Sequence, residues 1–307
     1  MQGKIGVLVM SYGTPESLDD IETYYTHIRR GRKPSDEQLN DLTMRYEAIV
    51  GGVFPLREHT NLQVASLQDK LEQLAPGRYQ CFQGLKHARP YIEDGVAAMA
   101  KAGITEAVAI VLAPHYSTMS IGSYLERAAV AAEQAGITMS GVKQYHMHPK
   151  WLQAITERVV AGVERLEKRS AEMDKTMVLF SAHSLPVRIR ELDDPYEQQL
   201  LQSSEAIAQA ANVKNWQFTW QSAGQTHEPW LGPDLLETMA TLRDEGVTAI
   251  LVAPIGFVSD HLEIMYDIDI EAQAEAKKLG ITLERITMLN SDPLYMETLA
   301  ESVMELK

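Results

Sequence analysis

The sequence predicts an α/β protein of two similar lobes, each with a mostly parallel sheet flanked by helices and with a cleft between the lobes. Three observations carry this. Short, nearly all-apolar runs end at Gly, Ser or Pro turns, as buried parallel strands do on entering loops. The stretches between them place apolar residues at helical spacing. A weak internal repeat links the two halves: AGIT followed by VAIVLAP (102–105, 108–114) resembles EGVT followed by AILVAP (245–248, 249–254). Each half also opens with a strand running into a Ser-containing loop ended by proline, SYGTP at 11–15 and SAHSLP at 181–186.

Four runs read as strands: Ile5 to Met10, Val108 to Ala113, Met177 to Phe180 and Ala249 to Ala253. Helical periodicity fills Thr60 to Leu74, Tyr91 to Ala102, Ile121 to Ala135, Trp151 to Leu166, Tyr196 to Ala211 and Asp234 to Glu245. Alternating strands and helices give a parallel sheet. The polar stretch KRSAEMDK (168–175) sets the expected lobes at 1–168 and 169–307. Ligands of open α/β sheets bind beyond the carboxyl ends of the strands. The loops carrying Tyr12, His115, His183 and Gly256 to Glu263 are therefore expected to line the cleft.

Composition narrows the function. The chain has 307 residues, 45% hydrophobic and 23% charged, enough for two ordinary cores without staples. Its 28 Lys and Arg against 42 Asp and Glu leave a net charge of −14, which argues against a general role on nucleic acid or anionic membranes. The single cysteine, Cys81, rules out an internal disulfide, a four-cysteine zinc site and a cysteine-ligated iron–sulfur cluster. No basic leader with a cleavage site and no run of ~20 apolar residues is evident, so a soluble, cytoplasmic protein without an integral membrane segment is expected.

Several constellations carry chemistry. His183 directly follows a buried strand, and an imidazole there suits a divalent first-row metal or proton transfer near neutrality; a structural histidine tied to backbone carbonyls is the alternative. In DHLEIMYD (260–267), Asp260 and Glu263 have the spacing of a capping box. Glu263, Asp267, Glu271 and Glu275 then share a helical face at steps of four, which suits a line that hydrates and passes on cations, or simply a solvated face. The basic cluster HIRRGRK (27–33), with Arg45 and Tyr46, suits a small carboxylate- or phosphate-bearing ligand; a solvated loop is as good an account of the charge alone. Gly13 and Gly51-Gly52 form no nucleotide fingerprint, and no phosphate loop is present. His146 and His148 read as surface residues. Ser181 and Ser184 lack a nucleophile elbow.

Together these segments resemble the ferrochelatase family, in particular its soluble coproporphyrin branch from Gram-positive bacteria. The resemblance spans nearly the whole chain. It rests on VLVMSYGTP (7–15), YYTHIRRGRKP (24–34), RYEAI (45–49), GLKH (84–87), VLAPHYS (111–117), SAHSLP (181–186), DPYEQQL (194–200), WQS (220–222), PWLGPD (229–234) and GFVSDHLEIMYD (256–267). It implies two Rossmann-like, chelatase-like lobes and insertion of Fe2+ into coproporphyrin III in haem biosynthesis. The implied metal-binding and proton-abstracting pair is His183 and Glu263. Tyr12 is the implied axial ligand to the product iron. Arg29, Arg45, Tyr46, Tyr124 and the position of Phe54 are implied for propionates and pocket. Lys86 and His87 fall near the porphyrin edge, and Asp267 and Glu271 at an outer metal site. No tightly bound cofactor is implied: Fe2+ is a substrate, and no iron–sulfur cluster is expected.

The chain departs from the family pattern in four places. Phe54 stands where the family has a propionate-contacting Ser, a residue is added near Val50, Ala223 replaces a Glu in WQSAG, and AQAEAKKLG follows Glu271. A cobalt or nickel chelatase for another tetrapyrrole remains an alternative, as does a non-catalytic porphyrin or haem carrier. A monomer is expected, with porphyrin and Fe2+ as small-molecule partners, no nucleic acid, and transient contacts to neighbouring haem-pathway enzymes.

Overall fold

A computed structural model describes residues 3–50, 54–169, 173–224 and 226–307. Gly51, Gly52 and Val53 lie outside them, and so does the comparison drawn there. The chain divides into two compact units. The first comprises Met1–Tyr145, Ser259–Leu262 and Asn290–Lys307; the second comprises His146–Val258 and Glu263–Leu289.

In the first unit, β1 (Ile5–Ser11) leads to α1 (Ile21–Ile28), α2 (Asp36–Val50) and α3 (Pro55–Leu74), then β2 (Tyr79–Leu85), α4 (Ile92–Lys101) and β3 (Glu106–Val111). A π-helical turn at Thr118–Gly122 runs into α5 (Ser123–Gln134), followed by β4 (Thr138–Gly141). The four strands are parallel in the order β2-β1-β3-β4. Every residue of β1 is buried. Leu8, Met10, Ile92, Val96, Met99, Ala109, Tyr124 and Ala128 join in one core between the sheet, α4 and α5.

The second unit repeats the plan. It contains α6 (Pro149–Lys168), β5 (Thr176–His183), α7 (Tyr196–Ala210), β6 (Trp216–Gln221), α8 (Leu235–Asp244) and β7 (Ala249–Ala253). The short helix α9 (Leu262–Met265), a π-helical turn at Asp267–Ala272, α10 (Gln273–Leu279) and β8 (Thr282–Arg285) follow. The strands are again parallel, in the order β6-β5-β7-β8. Leu179, Met239, Ile250, Val252, Ile264, Ile268 and Leu283 form its core. The final helix, α11 (Pro293–Met304), packs on α3 and β3 of the first unit. Local sequence explains several helix starts. Asp234 and Glu237 form a reciprocal capping box on α8, and Asp292 caps α11 just ahead of Pro293.

The structure bears on three expectations. The polar stretch at 168–175 begins at the last residue of α6, an amphipathic helix that packs on α7, β7 and β8, and the two units divide ahead of that helix. Packing, rather than chain polarity, decides which unit a helix joins. The C-terminal residues return to the first unit, so neither unit is one continuous segment. The acidic run does not form one helix: the N–H of Glu271 bonds the carbonyl of Tyr266, five residues back, and the π turn breaks the four-residue spacing of the carboxylates. Asp260, whose spacing to Glu263 resembles a capping box, is tied to Asn290, its N–H donating to Oδ1 (2.9 Å) and its Oδ2 accepting from Nδ2 (2.9 Å).

Candidate active site

In the second unit His183 ends the central strand β5. Its Nδ1 donates to the carbonyl of Ser184, which fixes the tautomer and turns Nε2 toward Glu263 Oε1 at 3.5 Å. Burial opposes a charged ring here. The Glu263 carboxylate, the two hydrogen bonds and the Asp267 charge outweigh it, and the imidazole pKa rises to about 9. About a third of each side chain stays open to solvent, so the pair is reachable.

The sheet aims Glu263. Ser181 Oγ donates to Gln221 Oε1 (2.9 Å), and Gln221 Nε2 donates to the Glu263 carbonyl (3.0 Å). Adjacent strands β5 and β6 thus fix the backbone that carries the carboxylate. Gly256 lets the loop after β7 lie on the end of β5, since a Cβ there would fall 2.4 Å from Ala182 Cβ. Tyr196 donates to the His183 carbonyl (3.1 Å), and burial raises its pKa. Trp230 lies 6.3 Å from the His183 ring. Asp267 accepts a short hydrogen bond from Ser222, which holds a left-handed φ of 59°. Glu271 is half-buried in the π turn. Among the described residues no group of three or more His, Cys, Asp or Glu is arranged to hold a metal ion, so His183 and Glu263 stand as a pair.

In the first unit the loop after β1 is joined to the loop after β2. Lys86 N donates to Ser11 O and His87 N to Tyr12 O, both at 3.0 Å. Gly13 turns between them at φ +89°, and a Cβ there would stand 3.0 Å from Ala88 Cβ. Tyr12 is 43% exposed, and its ring lies 4.6 Å from that of His87. Burial, then Lys86, His27 and Arg127, push the His87 pKa down to about 3, so the ring is neutral. His27 Nδ1 and His87 Nδ1 share a hydrogen bond of 3.0 Å. Lys86 points its ammonium over the Tyr124 ring (4.5 Å) and onto Ser123 Oγ (2.7 Å). Burial, Arg127 and Arg30 lower its pKa to about 8.

Nearby, Tyr46 and Phe54 are both 5% exposed, with rings 4.9 Å apart, and they pack with Ile21 and Leu262. Phe54 therefore serves an apolar cluster and offers no hydroxyl. Tyr46 OH lies 3.3 Å from Thr14 Oγ1. The Arg29 guanidinium stacks over Tyr25, and its Nε is buried without a hydrogen-bond partner. Arg45 Nε bonds Asp41 at 3.1 Å. Lys33, at the far end of the basic cluster, is a surface cation paired with Glu22.

The structure thus gathers His183, Glu263 and Asp267 in one unit. It gathers Tyr12, Lys86, His87 and Tyr124 in the other, with Tyr46 beside Phe54 there. Sequence reasoning missed Gln221 and Tyr196, although both lie in the quoted WQS and DPYEQQL segments. It also placed His146 wrongly on the surface. His146 is buried with Nε2 3.4 Å from Gln202 Oε1, while His148 caps α6 by accepting from Lys150 N. His115 is buried as well. Ser181 and Ser184 are fully buried, and the Ser184 hydroxyl donates to Leu231 O, so neither is poised as a nucleophile. Burial pushes the Cys81 thiol up to about 12, which makes it unreactive.

Two parallel four-strand sheets of matching order, flanked by helices, make a chelatase-type fold. The fold likeness agrees. SirB from Bacillus subtilis with Fe3+ aligns with 99% of this chain and 95% of its own at TM-score 0.58 and 15% identity. CbiX, a terminal enzyme of sirohaem biosynthesis in denitrifying bacteria, aligns with 98% and 99% at TM-score 0.53 and 11% identity. At such identities the likeness is one of fold. The sequence model of the ferrochelatase family matches residues 4–307, and the chain belongs to that family. It is 47% identical over 304 residues to the coproporphyrin III ferrochelatase of Geobacillus thermodenitrificans, covering 98% of this chain and 95% of that protein. It is 44% identical over 305 residues to that of Bacillus subtilis, covering 98% and 97%.

Proposed function

We propose that the protein is a coproporphyrin III ferrochelatase of haem biosynthesis, inserting Fe2+ with release of the two pyrrole protons. The observation that supports this most directly is the His183–Glu263 pair, set at the end of a buried strand in a chain that matches curated coproporphyrin III ferrochelatases over nearly its full length. A neutral imidazole with one carboxylate binds Fe2+ more weakly than a set of thiolates, so the metal can move on. The Ser184 carbonyl holds the Nδ1 proton and keeps Nε2 for iron. Iron displaces the proton that the empty pair retains at neutral pH. Glu263 and His183 then accept the pyrrole protons, a contribution of about 10²–10⁴-fold for a positioned base.

In this reading the first unit holds the macrocycle. The unpartnered Arg29 Nε is suited to a propionate. Tyr12, His87 and Lys86 face the ring, and Tyr12 ligates the product iron. Asp267 and Glu271 form an outer station for incoming cations. Fe2+ is the only metal required, as substrate, with no resident cofactor or iron–sulfur cluster. The protein acts as a cytoplasmic monomer that meets neighbouring haem-pathway enzymes transiently.

The test is anaerobic: purified protein, Fe2+, and either coproporphyrin III or protoporphyrin IX, following loss of free-base fluorescence. Turnover of coproporphyrin III in clear preference is the expected result. Tight quenching without metal insertion would identify a carrier instead.

A further inference from the structure

We infer that His27 is a positioning residue: acting through His87, it sets the orientation of the Tyr12 ring. The inference rests on the proposed porphyrin-facing role of Tyr12.

Four rings from three segments stand in a row. Tyr91, just ahead of α4, stacks on His27 of α1 at 5.1 Å and 19°. His27 meets His87 edge-on at 5.2 Å and 76°, with the two Nδ1 atoms 3.0 Å apart. His87 lies against Tyr12 at 4.6 Å and 52°. The backbone bonds between Ser11–Tyr12 and Lys86–His87 fix where these residues stand but not where their rings point. A ring that is 43% exposed has a large open side, so what packs on its covered side matters to its direction.

The histidine contact is selective. Two imidazole nitrogens bond only when one carries a hydrogen and the other a lone pair. The Nδ1–Nδ1 bond therefore forces complementary tautomers and holds both ring planes. The Tyr91 stack steadies His27 from the far side. A side chain that meets a flat macrocycle or its iron must be held to within about 10–20°. The row from Tyr91 to Tyr12 supplies that restraint from outside the reacting atoms.

The experiment places 3-fluorotyrosine at position 12 and records its 19F resonance in the full-length protein. His27→Phe keeps a ring against Tyr91 and removes the nitrogen; His27→Asn restores a polar partner. The expected result is one narrow resonance in the wild type, a broadened or split one in His27→Phe, and recovery in His27→Asn. In parallel, kcat falls about tenfold in His27→Phe, KM for coproporphyrin III stays within about twofold, and His27→Asn recovers kcat. An unchanged resonance or an unchanged kcat in His27→Phe, at an unchanged melting temperature, would overturn the inference. Loss of folding in His27→Phe leaves the decision to His27→Asn against His27→Leu, read the same way. Tyr12→Phe serves as the separate control. If the absorption spectrum of bound Fe(III) coproporphyrin III is the same in Tyr12→Phe as in the wild type, the ligand role of Tyr12 fails, while the 19F comparison still decides the role of His27.

Discussion

The two units carry the same strand order, β2-β1-β3-β4 and β6-β5-β7-β8, each with a π-helical turn on the path from its third strand to its fourth. Their loops differ in kind. After β1 and β2 the first unit presents Tyr12, Lys86 and His87, aromatic and cationic. After β5 and in the segment following β7 the second presents His183, Glu263 and Asp267, an imidazole among carboxylates. On the proposed function, one scaffold carries groups for an anionic aromatic ligand in one copy and for a metal ion and protons in the other. The lesson is that the sheet order sets where the loops lie, and the loops alone set the chemistry.

This division of labour is open to direct attack, and the largest effect is expected in the second unit. His183→Ala should lower kcat for iron insertion by 10² or more while porphyrin affinity, read by fluorescence quenching, barely moves. A comparable loss of affinity would mean that the units do not divide the work. Next comes Phe54, which is buried against Tyr46, Ile21 and Leu262. Phe54→Ala should destabilise the first unit by about 3 kcal/mol, seen in denaturant unfolding, because it removes a large side chain from a packed cluster. Arg29→Ala should weaken coproporphyrin III about tenfold, as expected for one charge-assisted contact, and protoporphyrin IX, with fewer carboxylates, less. Equal losses would demote Arg29 to a general structural role.

The smallest effect is a pH dependence. The His183 pKa is raised in the folded state from 6.5 to about 9. Its stabilisation is therefore complete below about 6.5 and is lost as pH climbs through about 9. Wild type should lose more melting temperature than Glu263→Gln across that interval. Lys86, lowered to about 8, acts in the opposite sense but equally in both proteins, so the difference isolates the pair.

Much of the fold was legible because the central strands are buried on both faces. β1, β3, β5 and β7 are near-continuous apolar runs, and all four were read from sequence. Their outer neighbours were not. β2 (YQCFQGL), β4 (TMSG), β6 (WQFTWQ) and β8 (TLER) interleave polar residues, as strands at the sheet edges tolerate. The positions of His183 and Glu263 followed from sequence, one at the end of a buried strand and the other in a short helix in the segment after a buried strand. Gln221 was not, because a glutamine that bonds backbone two segments away leaves no local pattern. The pairing of His27 with His87 was also hidden: the two lie sixty residues apart, and His27 read simply as part of a basic run.

The return of α11 to the first unit has a consequence for synthesis. Tyr295 bonds Tyr145 through their hydroxyls at 2.9 Å, and Glu297 pairs with Lys70 at 3.0 Å, so the chain's last helix covers a surface made near its beginning. As the chain leaves the ribosome, the half that starts first is finished last. The second unit, whose segments end at Leu289, has all its residues before the first has its lid. A premature stop near Asp292 would therefore injure the unit translated first and spare the sheet that bears His183.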